Sequence, residues 1–136
     1  VGNNNIFANN AGIAGHVNVG NNVILGGYSA VHQFCNLGDY SFSGMNTSIT
    51  MDVPAFVKVA SNPARVVGLN SVGMARNEIP SESISLIKKA FKITYKKGYK
   101  FEDAIKQLDK MYSETKDKFL DIYIQSIKVS TRGILR

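Results

Sequence analysis

Cysteine occurs once and histidine twice in these 136 residues. The lone thiol, Cys35, has no partner for an internal disulfide, and one cysteine with two histidines falls short of a self-contained structural zinc site, so no metal is expected. No run of about 18 apolar residues exists to cross a bilayer, and the N-terminus carries neither the basic start nor the apolar block of a signal peptide. A cytoplasmic address without membrane insertion is expected. Low-complexity sequence is also missing. Charge is scarce in the first half: residues 1–60 hold one Lys and two Asp, whereas residues 61–136 hold fifteen Lys plus Arg against eight Asp plus Glu, a net +7. That asymmetry suits an acidic partner, whether nucleic acid, membrane phosphate, nucleotide or an acidic carrier protein, with lysine-rich solvated helix faces as the plainer alternative. At 44% hydrophobic content the chain can bury one moderate core or two small ones.

What the first half does have is a period of six. Cut into hexads, residues 1–54 begin Val1, Phe7, Ile13, Val19, Leu25, Val31, Leu37, Ser43 and Ile49, eight of the nine apolar. The second positions (Gly2, Ala8, Ala14, Gly20, Gly26, His32, Gly38, Gly44, Thr50) and the fifth positions are mostly small. Period six fits neither an amphipathic helix nor simple strand alternation, but it fits short strands meeting at sharp corners with one aliphatic residue per strand pointing inward. This pattern predicts a left-handed parallel β-helix. Gly and Ala are expected where the backbone turns, and the pairs Asn3-Asn4, Asn9-Asn10 and Asn21-Asn22 where it adopts unusual angles. Three hexads make one triangular coil, so residues 1–60 supply about three. Because a solenoid normally ends in an atypical cap and Val1 opens in mid-pattern, further coils are expected before it.

Residues 61–136 read as a helical domain. Ser61-Asn62-Pro63-Ala64 is expected to turn the chain out of the solenoid, and a short helix or loop to cover Asn70 to Arg76. Ile84, Ile87, Phe91 and Tyr95 then repeat at helical spacing after Pro80-Ser81 and stop at Gly98; Phe101 to Met111 and Leu120 to Ile127 give two more helices, all with core-facing stripes.

Histidine is the side chain that changes charge near neutrality, so the placement of His16 and His32 decides whether chemistry is plausible on this scaffold. His16 lies in the third hexad and His32 in the sixth. Hexads three apart share a face on adjacent coils about 4.8 Å apart, so both imidazoles are expected outward on one wall, beside Gly15 and Gln33.

Here the runs Ala8-Asn9-Asn10-Ala11, Ala14-Gly15-His16-Val17, Gly26-Gly27, Ala30-Val31-His32-Gln33-Phe34, Asp52-Val53-Pro54, Gly68-Leu69-Asn70 and Ser130-Thr131-Arg132-Gly133 resemble those of the UDP-N-acetylglucosamine O-acyltransferase family, over essentially the whole chain. The resemblance implies a general-base histidine that frees the sugar 3-hydroxyl to attack an acyl carrier protein thioester in lipid A synthesis. By resemblance that histidine belongs four residues before Val1, about three hexads from His16, completing a stack of three imidazoles; residues 1–136 alone are then expected to be inactive. It further implies that the Gly15 N–H is an oxyanion donor, that His16, His32 and Gln33 line the sugar and acyl sites, and that Asn70 and Arg76 lie near the nucleotide and phosphates. Met45 falls where the family sets acyl length, a bulky side chain there resembling members with shorter chains. Val72 and Asn77 depart from the family pattern, which carries Glu and Arg there. Acyl carrier protein with its acyl-phosphopantetheine, UDP-N-acetylglucosamine and a homotrimer follow from the same resemblance, with no bound cofactor, metal or nucleic acid. Competing readings are the related N-acyltransferase, a sugar acetyltransferase, a metal-dependent hydratase on the same solenoid, and a non-catalytic scaffold docking acidic partners.

Overall fold

The structure, a computed structural model, describes residues 1–136. Its first half is the parallel β-helix expected from the hexads. Strands β1 (Ile6–Phe7), β4 (Ile24–Leu25) and β7 (Phe42–Ser43) stack in one wall, which we call wall A; β2 (Gly12–Ile13), β5 (Ala30–Val31) and β8 (Ser48–Ile49) make wall B; β3 (Asn18–Val19) and β6 (Asn36–Leu37) make wall C. Partners in the register are 18 residues apart, as in Ile6 with Ile24 and Gly12 with Ala30.

Two details refine the sequence reading. Two inward columns exist, not one. Besides the hexad starts Val19, Leu25, Val31, Leu37, Ser43 and Ile49, the fifth positions Val23, Ser29, Cys35, Ser41, Thr47 and Val53 are buried. The small residues there fit the narrow corners of the prism, and the polar ones are satisfied: Ser29 Oγ and Ser43 Oγ lie 2.9 Å apart, and Thr47 Oγ1 donates to the Gly44 carbonyl. The corners turn at the fourth position, where Asn4, Asn10, His16, Asn22, Tyr28, Phe34, Tyr40 and Asn46 all have φ between 58° and 67°. The second asparagine of each pair accordingly takes the left-handed conformation. Aromatic residues at this position carry a conformational cost, which stacking along the column offsets, as in Tyr40 on Phe56. Glycine is required at Gly26, where a Cβ would lie 2.6 Å from the Gly44 carbonyl carbon of the next coil.

The last coil is two residues short. Leu37 pairs with Val53 and Phe42 with Lys58, 16 residues on, whereas Ala30 still pairs with Ser48. The contraction therefore falls at the corner after wall B. The expected exit at Ser61–Ala64 is corrected: that turn folds β9 (Val57–Ala60) back on antiparallel β10 (Arg65–Leu69), which extends wall A, with a register shift between Val66 and Gly68.

Four helices follow: α1 (Ser71–Arg76), α2 (Ser81–Tyr95), α3 (Phe101–Thr115) and α4 (Lys118–Lys128). The predicted stripes meet in the bundle, with Ile87, Leu108, Leu120, Tyr123, Ile124 and Ile127 buried. Solenoid and bundle share one hydrophobic cluster of 25 buried residues, so the chain has one core. The Ala55 N–H donates to Ser126 Oγ across the join. Beyond α4 the terminal residues return to the solenoid: Ile134 bridges Asp52, the Leu135 N–H donates to the Asp52 carbonyl at 2.7 Å, and Tyr95 Oη donates to the Leu135 carbonyl at 2.9 Å. At the opposite end, Val1, Phe7 and Ile13 are 77%, 39% and 36% exposed because no coil lies against them in this chain.

Candidate functional site

The corner between walls B and C gathers Gly15, His16, His32 and Gln33, all exposed. Both imidazoles point outward on it, as expected, but they do not stack on each other. Pairing of Ile13 with Val31 sets His16 against Phe34, the rings 4.8 Å apart and 3° from parallel, while His32 sits over Ala14. The imidazole column expected from the hexads is therefore a histidine–phenylalanine stack with His32 two residues to one side. His32 is held through its backbone, whose N–H donates to the Ile49 carbonyl at 2.8 Å.

Among the solenoid glycines, Gly15 and Gly12 alone have open space where a Cβ would sit. A Cβ on Gly15 would meet nothing within 4 Å, so the fold of this chain does not require its bareness. Its carbonyl accepts from the Phe34 N–H at 3.2 Å, but its own N–H has no acceptor. At the corner between walls C and A, the equivalent N–H groups are capped by side chains: Asn3 N–H by Asn21 Oδ1 and Asn21 N–H by Asp39 Oδ1. The histidine corner lacks such caps, as does the corner between walls A and B at Asn9 and Gly27, and leaves the Gly15 donor free on an exposed residue.

Sequence reasoning overlooked Arg132 as a member of this corner. Its Nη1 donates to the Gln33 carbonyl at 2.8 Å, across 99 residues of sequence. The run Ser130-Thr131-Arg132-Gly133 was visible, but nothing in a helical stripe or a hexad says where the last residues dock. Beneath the corner, Cys35 is buried; burial pushes its thiol pKa up, the Arg132 charge pulls it down and Asp52 adds to the rise, leaving a protonated packing residue.

Asn70 and Arg76 lie elsewhere, in a cleft of about 370 Å³ against wall A whose lining includes Ile24, Phe42, Lys58, Val72 and Asn77. Asn70 is buried and committed to the fold: its Nδ2 donates to the Tyr40 carbonyl, its Oδ1 accepts from the Gly73 N–H and caps α1, and its backbone N–H donates to Phe56. Arg76 is exposed and has no carboxylate partner. Lys58, also missed from sequence, sits 5.4 Å from the Phe42 ring centre at the same cleft, and no acidic residue lines it. Two unpaired cations over an apolar floor suit a phosphate-bearing ligand with a flat ring. Where the resemblance carries Glu and Arg, Val72 is 62% exposed and Asn77 Nδ2 donates to the Gly73 carbonyl.

Met45 lies at the corner between walls A and B and is 68% exposed. The predicted residues therefore fall in three separate places: the corner between walls B and C, the corner between walls A and B, and the cleft against wall A. The larger groove, about 410 Å³ between wall C and α4, contains none of them and lies between the histidine corner and the cleft. No three of His, Cys, Asp and Glu converge as a metal-binding group.

Residues 52–135 match the sequence profile of the family described as Udp N-acetylglucosamine O-acyltransferase, domain 2. The chain is 43% identical over its full 136 residues to the acyl-[acyl-carrier-protein]–UDP-N-acetylglucosamine O-acyltransferase of Pseudomonas putida and 45% identical to that of Stutzerimonas stutzeri. It spans 52% of the length of each. Among solved structures it is similar to the UDP-N-acetylglucosamine O-acyltransferase of Moraxella catarrhalis, with a TM-score of 0.94 at 39% identity, covering all of this chain and 52% of that one. The Arabidopsis UDP-N-acetylglucosamine acyltransferase gives 0.92 at 32% identity, covering 99% and 50%.

Proposed function

Because the chain belongs to the UDP-N-acetylglucosamine O-acyltransferase family, we propose that it serves transfer of a 3-hydroxyacyl group from acyl carrier protein to the 3-hydroxyl of UDP-N-acetylglucosamine, the first step of lipid A synthesis. The names of the relatives support the donor and acceptor. The single observation that carries the site assignment is the uncapped Gly15 N–H, on an unhindered glycine flanked by His16, His32 and Gln33.

Attack of a sugar hydroxyl on a thioester builds negative charge on the carbonyl oxygen, and a fixed N–H aimed at that oxygen stabilises it without reorganising. Gly15 supplies that donor and its lack of a side chain gives the thioester room. His16, His32 and Gln33 line the sugar and acyl site, where imidazole and amide groups hydrogen-bond sugar hydroxyls. Asn70 holds the Arg76 cleft in shape and Arg76 reaches the phosphates, with Lys58 adding charge. Met45 limits acyl length. The acyl group arrives on phosphopantetheine, and no cofactor is bound. The family's general-base histidine matches neither His16 nor His32, so residues 1–136 alone are expected to bind weakly and not to turn over.

The sugar-binding corner and the phosphate cleft stand apart on one chain, with α4 beside the wall between them. A single nucleotide sugar meets both sets if the corner of one copy faces the cleft of another, which favours sites between subunits; three subunits and a cytoplasmic address are what the family resemblance implies.

The test is acyl transfer by the product of the full reading frame, with 3-hydroxyacyl carrier protein and UDP-N-acetylglucosamine, followed by mass spectrometry. O-acylated nucleotide sugar is expected. Acylation only of an amino sugar would select the N-acyltransferase instead, and absence of transfer with retained carrier-protein binding would select the scaffold.

A further inference from the structure

Six corners of the solenoid are tied to the next coil by the same bond. The third-position carbonyls of Asn3, Asn9, Gly15, Asn21, Gly27 and Asp39 accept from the N–H groups of Asn22, Tyr28, Phe34, Tyr40, Asn46 and Phe56, at 2.9–3.2 Å. Gln33 also has a coil above it, but that coil is short by two residues at this corner, so the backbone N–H that would bond its carbonyl is displaced. The Asp52 N–H instead donates to the Gly133 carbonyl. The missing rung is replaced by Arg132 Nη1, 2.8 Å from the Gln33 oxygen.

We infer that Arg132 is a positioning residue: it substitutes a guanidinium for the absent backbone rung and thereby fixes the Gly15 corner. The bond path is short. The Gln33 carbonyl that receives Arg132 belongs to the same planar peptide as the Phe34 N–H, which donates to the Gly15 carbonyl. A charged donor at one end of that peptide polarises it and strengthens the bond at the other, and charge-assisted bonds are the stronger kind. The histidine corner is thus the one place where a side chain, delivered by the C-terminal residues, replaces a main-chain rung.

The tail is built to deliver it. Leu135 and Ile134 are fastened to Asp52, Ser130 Oγ accepts from the Gly133 N–H, and Gly133, at φ 102° with Met51 Cε 2.9 Å from where its Cβ would be, makes a turn other residues cannot. Arg132 itself stays exposed and has no carboxylate partner, so the Gln33 carbonyl is its sole acceptor in the chain.

The catalytic consequence rests on the reading of Gly15 given above; the brace itself does not. The experiment compares Arg132→Gln, Arg132→Lys and the control Arg136→Gln in the product of the full reading frame, by hydrogen exchange at the Phe34 amide, thermal unfolding and steady-state kinetics. Arg132→Gln is expected to speed Phe34 exchange about tenfold and lower kcat about tenfold, with KM for the nucleotide sugar within about twofold and little change in Tm. Arg132→Lys, a point charge without the fork, is expected to fall between it and the wild type, and keeps the comparison available if the glutamine variant folds poorly. Arg136→Gln is expected to match the wild type in both readouts. Faster Phe34 exchange with unchanged kcat would uphold the brace and overturn the role given to Gly15. Unchanged Phe34 exchange in both Arg132 variants would overturn the brace.

Discussion

Two glycines in the same solenoid should respond in opposite ways to one added methyl group. At Gly26 a Cβ would sit 2.6 Å from the Gly44 carbonyl carbon and 2.8 Å from both its oxygen and the Met45 nitrogen. Those are backbone atoms of the next coil, held by the Gly26 N–H bond to the Ser43 carbonyl at 2.9 Å, and they cannot rotate away. The coils must part, so Gly26→Ala should destabilise by about 1–3 kcal/mol, the range for overpacking a tight contact. At Gly15 the same methyl group meets nothing, and its φ is not left-handed, so Gly15→Ala should be neutral or slightly stabilising, by up to about 1 kcal/mol through the stiffer unfolded chain. The assay is thermal or denaturant unfolding of both variants beside acyl transfer by the product of the full reading frame. Gly26→Ala should unfold several degrees earlier; Gly15→Ala should unfold with the wild type yet transfer acyl groups at least several-fold more slowly, because the methyl group occupies the space proposed for the thioester. Equal destabilisation by both would refute the corner geometry. Full activity of Gly15→Ala would refute the site.

Asn70→Ala removes the α1 cap and the bond to the Tyr40 carbonyl together, and unfolding should show a loss of about 1–3 kcal/mol with weaker binding of the nucleotide sugar by titration. Met45→Gly should shift preference toward longer acyl donors in a competition assay, and an unchanged ratio would reject the length-setting role. Burial raises the phenol pKa of Tyr95 and of Tyr123 well above the ordinary value of 10.0. The folded chain therefore holds protons that the unfolded chain gives up: stability is complete below about pH 10 and should fall by up to about 1.4 kcal/mol per pH unit per tyrosine above it. Tyr123→Phe should flatten that fall while losing the bond to Thr94 Oγ1.

The hexads announced the prism because the aliphatic column recurs at fixed spacing, and the helical stripes were equally plain because Ile87 and Phe91 in α2, and Leu120, Tyr123, Ile124 and Ile127 in α4, recur at helical spacing on the buried face of each helix. The second inward column was hidden by its chemistry: Ser29, Ser41 and Thr47 do not look like core until one sees them buried at narrow corners, with Ser29 Oγ beside Ser43 Oγ and both Ser29 and Thr47 donating to the Gly44 carbonyl. His16 and His32 were rightly placed on one corner, but which rings stack depends on register to the residue, and an offset of two put Phe34 where an imidazole was expected. Arg132 was out of reach of any pattern. Its position follows from a coil shortened by two residues and a tail that fills the space, and neither leaves a periodic trace. Lys58 was likewise invisible, because only the β9–β10 hairpin brings it beside Arg76.

The proposal that the histidine corner and the phosphate cleft meet only between copies is tested most directly by mixing subunits. His32→Ala and Arg76→Ala variants of the full reading-frame product, each weakly active, would be co-expressed with different tags, purified through both tags and assayed for acyl transfer. Some mixed oligomers then pair an intact corner with an intact cleft, and activity should rise well above that of either variant alone. Mixed oligomers no more active than the average of the two variants would contradict a shared site and place the whole reaction on a single chain.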